Sequence, residues 1–338
     1  MESLSAVILG MQGTSLTQEE IDFFKSVKPY GYILFTRNTE SPEQVKKLIG
    51  QLRDISGRER LPVLIDQEGG RVARLKPPHW RKYPPAMMFA QLAKDDMQTA
   101  REAVYLNACL IAQELHELGI TVDCAPLADL PVEGSHDVIG DRAFGHDARQ
   151  VIELAQAQAD GLMHGGIVPV LKHIPGHGRA FCDSHHELPV VDVSLEELRR
   201  TDFVPFKALA HLPMAMTAHV LYTAIDKDRM ATVSPAAIRM IRDEIGFDGL
   251  LMSDDLSMKA MQGDFTQRTK DVLAAGCDVV LHCNGNMAEM RAIADGIEPL
   301  TGKAEQRAYA AMQTAVTPRP FDVAQAQATL KHLLPQAA

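Results

Sequence analysis

The sequence predicts an α/β protein folded as one (β/α)8 TIM-type barrel over residues 1–338, with an irregular strand pattern allowed, and three observations carry that reading. Short apolar runs rich in Val, Ile and Leu alternate with longer segments that bear helix caps, the pattern of a parallel sheet built from βα units. There are eight such runs. Five of them lead into Asp, Lys, His or Asn, and the carboxyl ends of the strands are where a barrel of this kind assembles its site. The length exceeds that of most single cores, but βα barrels reach it as one domain.

In chain order, the first strand is "AVIL" (6–9), and Thr17 with Glu20 then opens a helix as an N-cap with its partner three residues on. "YILF" (32–35) leads to a helix started by Ser41, Pro42 and Gln44. "PVLI" (62–65) runs into Asp66, and the proline-rich "KPPHWRKYPP" (76–85) is expected to pack over the barrel rather than separate domains. A helix over 98–118 closes at Gly119, where a left-handed residue is wanted, before "TVDC" (121–124). "IVPV" (167–170) reaches Lys172 and His173, and Ser194 with Glu197 caps the next helix. "PMAMT" (213–217) reaches His219, and the helix after Ser234-Pro235 ends at Gly246. "LLMS" (250–253) reaches Asp254-Asp255, a helix after Thr266 ends at Gly276, and "DVVLH" (278–282) reaches Asn284. The tail reads as a terminal helix over about 322–334.

Bulk properties narrow the function. With 46% hydrophobic and 23% charged residues the chain is an ordinary globular protein. A net charge of −10 with no Lys/Arg stripe excludes the footprint of a nucleic-acid binder. Five cysteines without CxxC spacing suggest free thiols in a reducing compartment, hence a cytoplasmic protein. The start "MESLSAVILGMQG" lacks a basic leader region, and no segment approaches the roughly 20 apolar residues of a membrane span. A monomer acting on a small molecule, without cofactor, is expected.

Three constellations carry chemistry. In "LLMSDDLSMKAM" side chains alternate across the strand, so one aspartate is expected to face the barrel mouth and its neighbour to face away. A carboxylate there can be a nucleophile toward a sugar's anomeric carbon, a metal ligand or a general base, whereas Asp255 can equally cap the next helix. The stretch "KHIPGHGRAFCDSHHELP" (172–189) holds His173, His177, His185 and His186, with Asp183 two residues before His185. An Asp beside a His fixes its tautomer and stabilises the imidazolium, and an imidazole can donate a proton near neutral pH. Zinc would need three or four convergent ligands from this set, but no compact HExxH-type spacing occurs, so no metal is expected. For His177 and His186 a structural role is the simpler expectation. In "LIDQEGGRVARL" (64–75) Asp66 ends a strand and Arg74 follows a Gly-Gly turn, while "IGDRAFG" (139–145) adds Arg142. Carboxylate and guanidinium together suit sugar hydroxyls. Arg71 reads as a surface ion pair.

With those residues in hand, the chain resembles family 3 of the glycoside hydrolases, in its single-domain bacterial branch of β-N-acetylglucosaminidases that act in cell-wall recycling. "DQEGGRVARL", "IGDRAFG", "KHIPGHG" with "DSHHELP", and "SDDLSM" occur in the family's order over nearly the whole chain. The resemblance implies Asp254 as the nucleophile of a covalent glycosyl-enzyme and His185 as acid/base with Asp183 as its partner. It also implies Asp66, Arg74, Arg142, Lys172 and His173 as the sugar-binding set. The implied reaction is retaining release of terminal β-linked N-acetylglucosamine from muropeptides containing anhydro-N-acetylmuramic acid. Larger β-glucosidases of the family draw a Glu acid/base from a second domain, for which 338 residues leave no room. Ile174 stands where the motif commonly has an aromatic. The single Trp and 5% aromatic content favour polar recognition of one tightly held sugar. A phosphorylase using the same intermediate, and a silent amino-sugar-binding barrel, are the alternatives.

Overall fold

The computed structural model describes residues 4–314 and 317–335. Eight strands close into a barrel: β1 (Ser5–Gly10), β2 (Pro29–Leu34), β3 (Val63–Ile65), β4 (Val122–Asp123), β5 (Val168–Ile174), β6 (Met214–Thr217), β7 (Leu250–Asp255) and β8 (Val279–His282). Each is parallel to the strands before and after it in sequence, and β8 returns to pair with β1 through Val7 opposite Val280. Short β3 and β4 are aligned by Leu64 opposite Val122, and β5 and β6 by Val170 opposite Met214.

Alternation along the strands sorts the core into two layers. Ile8, Ile33, Leu64, Val122, Val170, Met214, Met252 and Leu281 fill the barrel interior. Their neighbours Val7, Leu9, Leu34, Val63, Ile65, Leu171, Ala215 and Leu251 face outward into the layer shared with the helices. Both faces of every strand are therefore covered, which is why these segments read as unbroken apolar runs.

The helices between strands begin and end where the caps indicate. Thr17 and Glu20 form a reciprocal capping box ahead of Gln18–Val27, and Ser41 accepts from the Gln44 amide ahead of Pro42–Ser56. Met97–Leu118 is held at its start by Asp96 and stops at Gly119, with φ 86°. It packs against Ala148–His164 so closely that a side chain at Gly161 would meet the Tyr105 carbonyl. The terminal helix spans Val323–Leu333 and lies on Met97–Leu118. The proline-rich loop does pack onto the body, burying Trp80 and Tyr83. No helix among the described residues is long and apolar enough to cross a membrane.

Two boundaries differ from the sequence expectation in ways that matter for the site. Strands β5 and β7 run on through Lys172, His173 and Ile174 and through Asp254 and Asp255, so the polar residues end the strands themselves rather than start loops. In β7 the simple alternation also fails. Met252 pairs with Val279 but Asp255 pairs with Leu281, so an extra residue is inserted opposite β8. That bulge brings both aspartates to the cavity wall instead of turning one away.

Candidate active site

A cavity of about 150 Å³ opens at the carboxyl ends of the strands. It is walled by the tips of β2, β3, β5, β6, β7 and β8 and by two loops, 131–142 and 176–186. Asp254, His185, Asp66, Arg74, Arg142, Lys172 and His173 all line it, and Asp183 stands behind His185. Residues separated by almost two hundred positions thus share one small space.

Its floor is a buried charge network. Lys172 Nζ, with its side chain only 2% exposed, lies 2.9 Å from Asp66 Oδ1 and 2.7 Å from Glu68 Oε1. Arg74 reaches Asp66 Oδ2 at 2.9 Å, and Arg142 forks onto both oxygens of Glu68 at 2.8 and 2.9 Å. Burial would raise the Asp66 carboxyl, but the Lys172 and Arg74 charges outweigh it and hold the group well below the usual carboxylate range. Conversely burial would lower the Lys172 ammonium, and Asp66 and Glu68 hold it above its ordinary value. Asp66, Glu68, Lys172 and Arg142 are thus each held in the charged form. Under them lies Asp123, which accepts from the Gln67 amide through Oδ1 at 2.9 Å while Oδ2 has no partner among the described residues. Burial pushes its carboxyl up to about 7, against the opposing pull of the Gln67 bond and Lys172.

The ribbon that carries Glu68 and Arg74 is pinned by Gln67. Its side-chain oxygen accepts from the amides of Arg74 and Leu75, and its amide nitrogen donates to the Leu75 carbonyl. The Arg74 guanidinium also stacks 4.7 Å from the centroid of the Phe35 ring, which lines the cavity. Arg142 adds a bond to the Val138 carbonyl, so three of its five N–H donors are taken by protein acceptors at the cavity wall. Arg71 is the surface ion pair expected, with Asp141 at 2.9 Å, and it also donates to the carbonyls of 137–139.

On the opposite wall His173 donates through Nδ1 to Asp129 Oδ2 at 2.7 Å, and its ring lines the cavity. Asp129 Oδ1 takes the amides of His173 and His177 at 3.2 and 2.6 Å. Burial would raise the Asp129 carboxyl; the two histidines and these bonds bring it down to about 2 instead. The His177 ring, buried and next to His173, is pushed down to about 4 and bonds Ser184 Oγ, in keeping with a structural role.

Among the described residues Asp254 accepts one hydrogen bond, from the Asp255 amide to Oδ1 at 2.8 Å, which leaves its other oxygen without a partner there, and the residue lines the cavity. Although burial acts to raise it, the neighbouring His219 and His173 and that amide keep its carboxyl below the ordinary value. Asp255 instead accepts from the Ser257 and Cys283 amides, as a carboxylate capping the next turn does. His219 is buried beneath them, bonded to Thr232 and to the Asp255 carbonyl, and burial lowers its basicity.

His185 is held on the 176–186 loop. Asp183 Oδ1 accepts both its backbone amide at 2.9 Å and its ring Nδ1 at 2.8 Å, and Nε2 has no hydrogen-bond partner among the described residues. The ring is 63% exposed. Among the described residues no group of three or more His, Cys, Asp or Glu side chains converges as metal ligands would.

Glu68, Asp129 and Phe35 were not singled out in the sequence. Glu68 lies inside "DQEGG", and Asp129 follows β4 in "APLADL", where a lone acid in an apolar run was the available signal.

A family model described as glycosyl hydrolase family 3 N terminal domain matches residues 8–317. The chain belongs to glycoside hydrolase family 3. Among its relatives in this family, a beta-hexosaminidase of Methylobacillus flagellatus is 37% identical over 286 residues, 83% of this chain and 81% of that one. One from Tolumonas auensis is 37% identical over 309 residues, 89% and 90% of the two chains. The crystal structure of native NagZ from Neisseria gonorrhoeae superposes with a TM-score of 0.88 at 31% identity, covering 98% of each chain. The protein is accordingly a family 3 glycoside hydrolase of the β-N-acetylhexosaminidase type, acting on a carbohydrate substrate.

Proposed function

We propose that this enzyme removes terminal non-reducing β-linked N-acetylglucosamine, with retention, from muropeptides containing 1,6-anhydro-N-acetylmuramic acid, as a cytoplasmic monomer in peptidoglycan recycling. The observation that carries the reading is the meeting, at one cavity sized for a single sugar ring, of an Asp254 oxygen and a His185 Nε2 that each lack a hydrogen-bond partner among the described residues. A second structure of the Neisseria gonorrhoeae NagZ, in complex with N-trifluoroacetyl-D-glucosamine and with the same TM-score of 0.88, supports an N-acylated glucosamine as the sugar.

In the first step Asp254 attacks the anomeric carbon. The C1–Oδ bond forms as the C1–O bond to the leaving group breaks, and the proton on His185 Nε2 passes to the departing oxygen. Asp183, fixed to Nδ1, holds the ring's direction and stabilises its positive charge. In the second step the neutral Nε2 takes a proton from water while the water oxygen displaces Asp254. Two inversions at C1 give retention. Asp66, Lys172, Arg74 and His173 supply fixed charged and polar partners for the sugar hydroxyls, so little reorganisation accompanies charge development at C1. An imidazole acid/base, unlike a carboxylate, does not repel a phosphate nucleophile, which keeps phosphorolysis in view.

Incubation with N-acetylglucosaminyl-1,6-anhydro-N-acetylmuramyl peptide, with and without inorganic phosphate, tests the reading. Free β-N-acetylglucosamine in both is expected. N-acetylglucosamine 1-phosphate would show a phosphorylase, and no release from this substrate beside ready hydrolysis of nitrophenyl β-N-acetylglucosaminide would remove the muropeptide assignment.

A further inference from the structure

We propose that Phe181 is the platform on which the leaving-group part of the substrate rests, an aglycone subsite that favours flat apolar surfaces such as an aryl ring or the C–H face of a second sugar. The inference rests on the reading of His185 as the acid that protonates the leaving oxygen. Phe181 is 66% exposed, and only Val190 and Tyr309 share that condition among the large hydrophobic side chains of the described residues. Exposure of a phenyl ring costs hydration free energy, and a lone case needs no explanation by itself. Its place in the fold is what distinguishes it. It stands four residues before His185, on the same loop, directly before Cys182 and Asp183.

The loop is tied down on several sides, so the ring's exposure is built in. The Ala180 carbonyl accepts from the His136 amide at 2.8 Å, and Gly178 lies so close to Leu130 that a side chain there would meet the Leu130 carbonyl. Arg179 bonds Asp202, Glu197 and Thr201 at 2.6 to 3.1 Å, and the Ser184 carbonyl accepts from the Ala260 amide at 3.2 Å. Phe181 thereby stands over the 131–138 segment, its ring edge 4.0 Å from where a side chain on Gly134 would begin. That segment continues into Val138 and Ile139 of the cavity wall.

Stereochemistry then assigns the occupant. The cavity accommodates one ring, and the nucleophile and the acid act on opposite sides of the anomeric carbon. The leaving group must therefore lie outside the cavity on the His185 side, over the pair of loops that Phe181 surmounts. Aromatic stacking there would order the aglycone with the glycosidic oxygen toward Nε2.

The test uses two inert probes, phenyl and methyl 1-thio-β-N-acetylglucosaminide, as competitive inhibitors of nitrophenyl β-N-acetylglucosaminide hydrolysis. Wild type is expected to bind the phenyl compound about tenfold more tightly, a gap that Phe181→Ala closes and Phe181→Trp keeps, with the methyl compound bound alike by all three. An unchanged preference in Phe181→Ala, or none in wild type, overturns the inference. The underlying reading is checked separately by the leaving-group dependence of His185→Ala, which does not involve the inhibitors, so the two failures are distinguishable.

Discussion

Lys172→Met is the perturbation that probes the floor of the site most sharply. The ammonium lies 2.9 Å from Asp66 and 2.7 Å from Glu68 with its side chain 2% exposed, so no water replaces it when it is removed. Loss of one partner from a buried ion pair costs about 3 to 5 kcal/mol, because the remaining charge stays desolvated. Arg74 and Arg142 still hold one carboxylate each, which places this case near the lower figure, roughly 3 kcal/mol. With an unfolding entropy of about 2.1 cal/mol/K per residue over 338 residues, that is a fall in Tm of roughly 4 °C at pH 7. The sign of the pH dependence follows from Asp66. Its carboxyl is depressed in the folded state, so the stability it contributes is present above the unfolded carboxylate range, near pH 4, and is lost as the pH falls below it. The gap between wild type and variant, followed by circular dichroism melts, is expected to stay level from pH 7 to 5 and to narrow below about pH 4. A shift under about 1 °C at pH 7, or a gap indifferent to acid, would refute the argument that these charges are held against their desolvation by one another.

Other outcomes follow from the same geometry. His185→Ala is expected to lose about 10² to 10⁴ in kcat/KM on disaccharide substrates and far less on a dinitrophenyl glycoside, which leaves without a proton; equal losses on both would contradict proton donation by this ring. Asp129→Asn puts an amide where His173 Nδ1 donates at 2.7 Å, so the ring is expected to protonate Nε2 instead, and KM for N-acetylglucosaminides should rise with modest change in kcat; nitrogen-detected NMR of the tautomer checks the cause. Because the Asp129 carboxyl lies down at about 2, its contribution to stability is retained above pH 4 and lost between about 4 and 2, and an acid-unfolding midpoint displaced upward in the variant would register it. Arg71→Ala frees the carbonyls of 137–139 and is expected to raise KM severalfold through the Val138–Ile139 wall, with partial rescue by Lys.

Much of this was legible in the sequence because barrel strands covered on both faces leave apolar runs, and because Thr17, Ser41, Gly119 and Gly246 mark helix ends by local hydrogen bonding and backbone sterics. The start of β2 was not. Pro29 and Gly31 look like loop residues, yet Pro29 occupies the first strand position, and a side chain at Gly31 would meet Pro62, the residue before β3. The continuation of β5 through Lys172 was not legible because charge within a strand is stable only with partners that sequence does not display, here Asp66 and Glu68 from the segment after β3. Likewise the fork of Arg142 onto Glu68 is a contact between residues 74 positions apart, which "IGDRAFG" alone does not display. The β7 bulge, which turns both aspartates to the cavity, is set by pairing with β8 and leaves no mark in "SDD" itself.

The most direct test of the central claim, covalent attack by Asp254, is to react the enzyme with an activated 5-fluoro-N-acetylglucosaminide that deglycosylates slowly and to map the labelled peptide by mass. The account predicts one N-acyl-fluoroglycosyl adduct on the peptide containing "SDDLSM", fragmenting to Asp254, and no adduct in Asp254→Asn. A label on Asp255 or elsewhere, or inhibition with no covalent adduct, would contradict it.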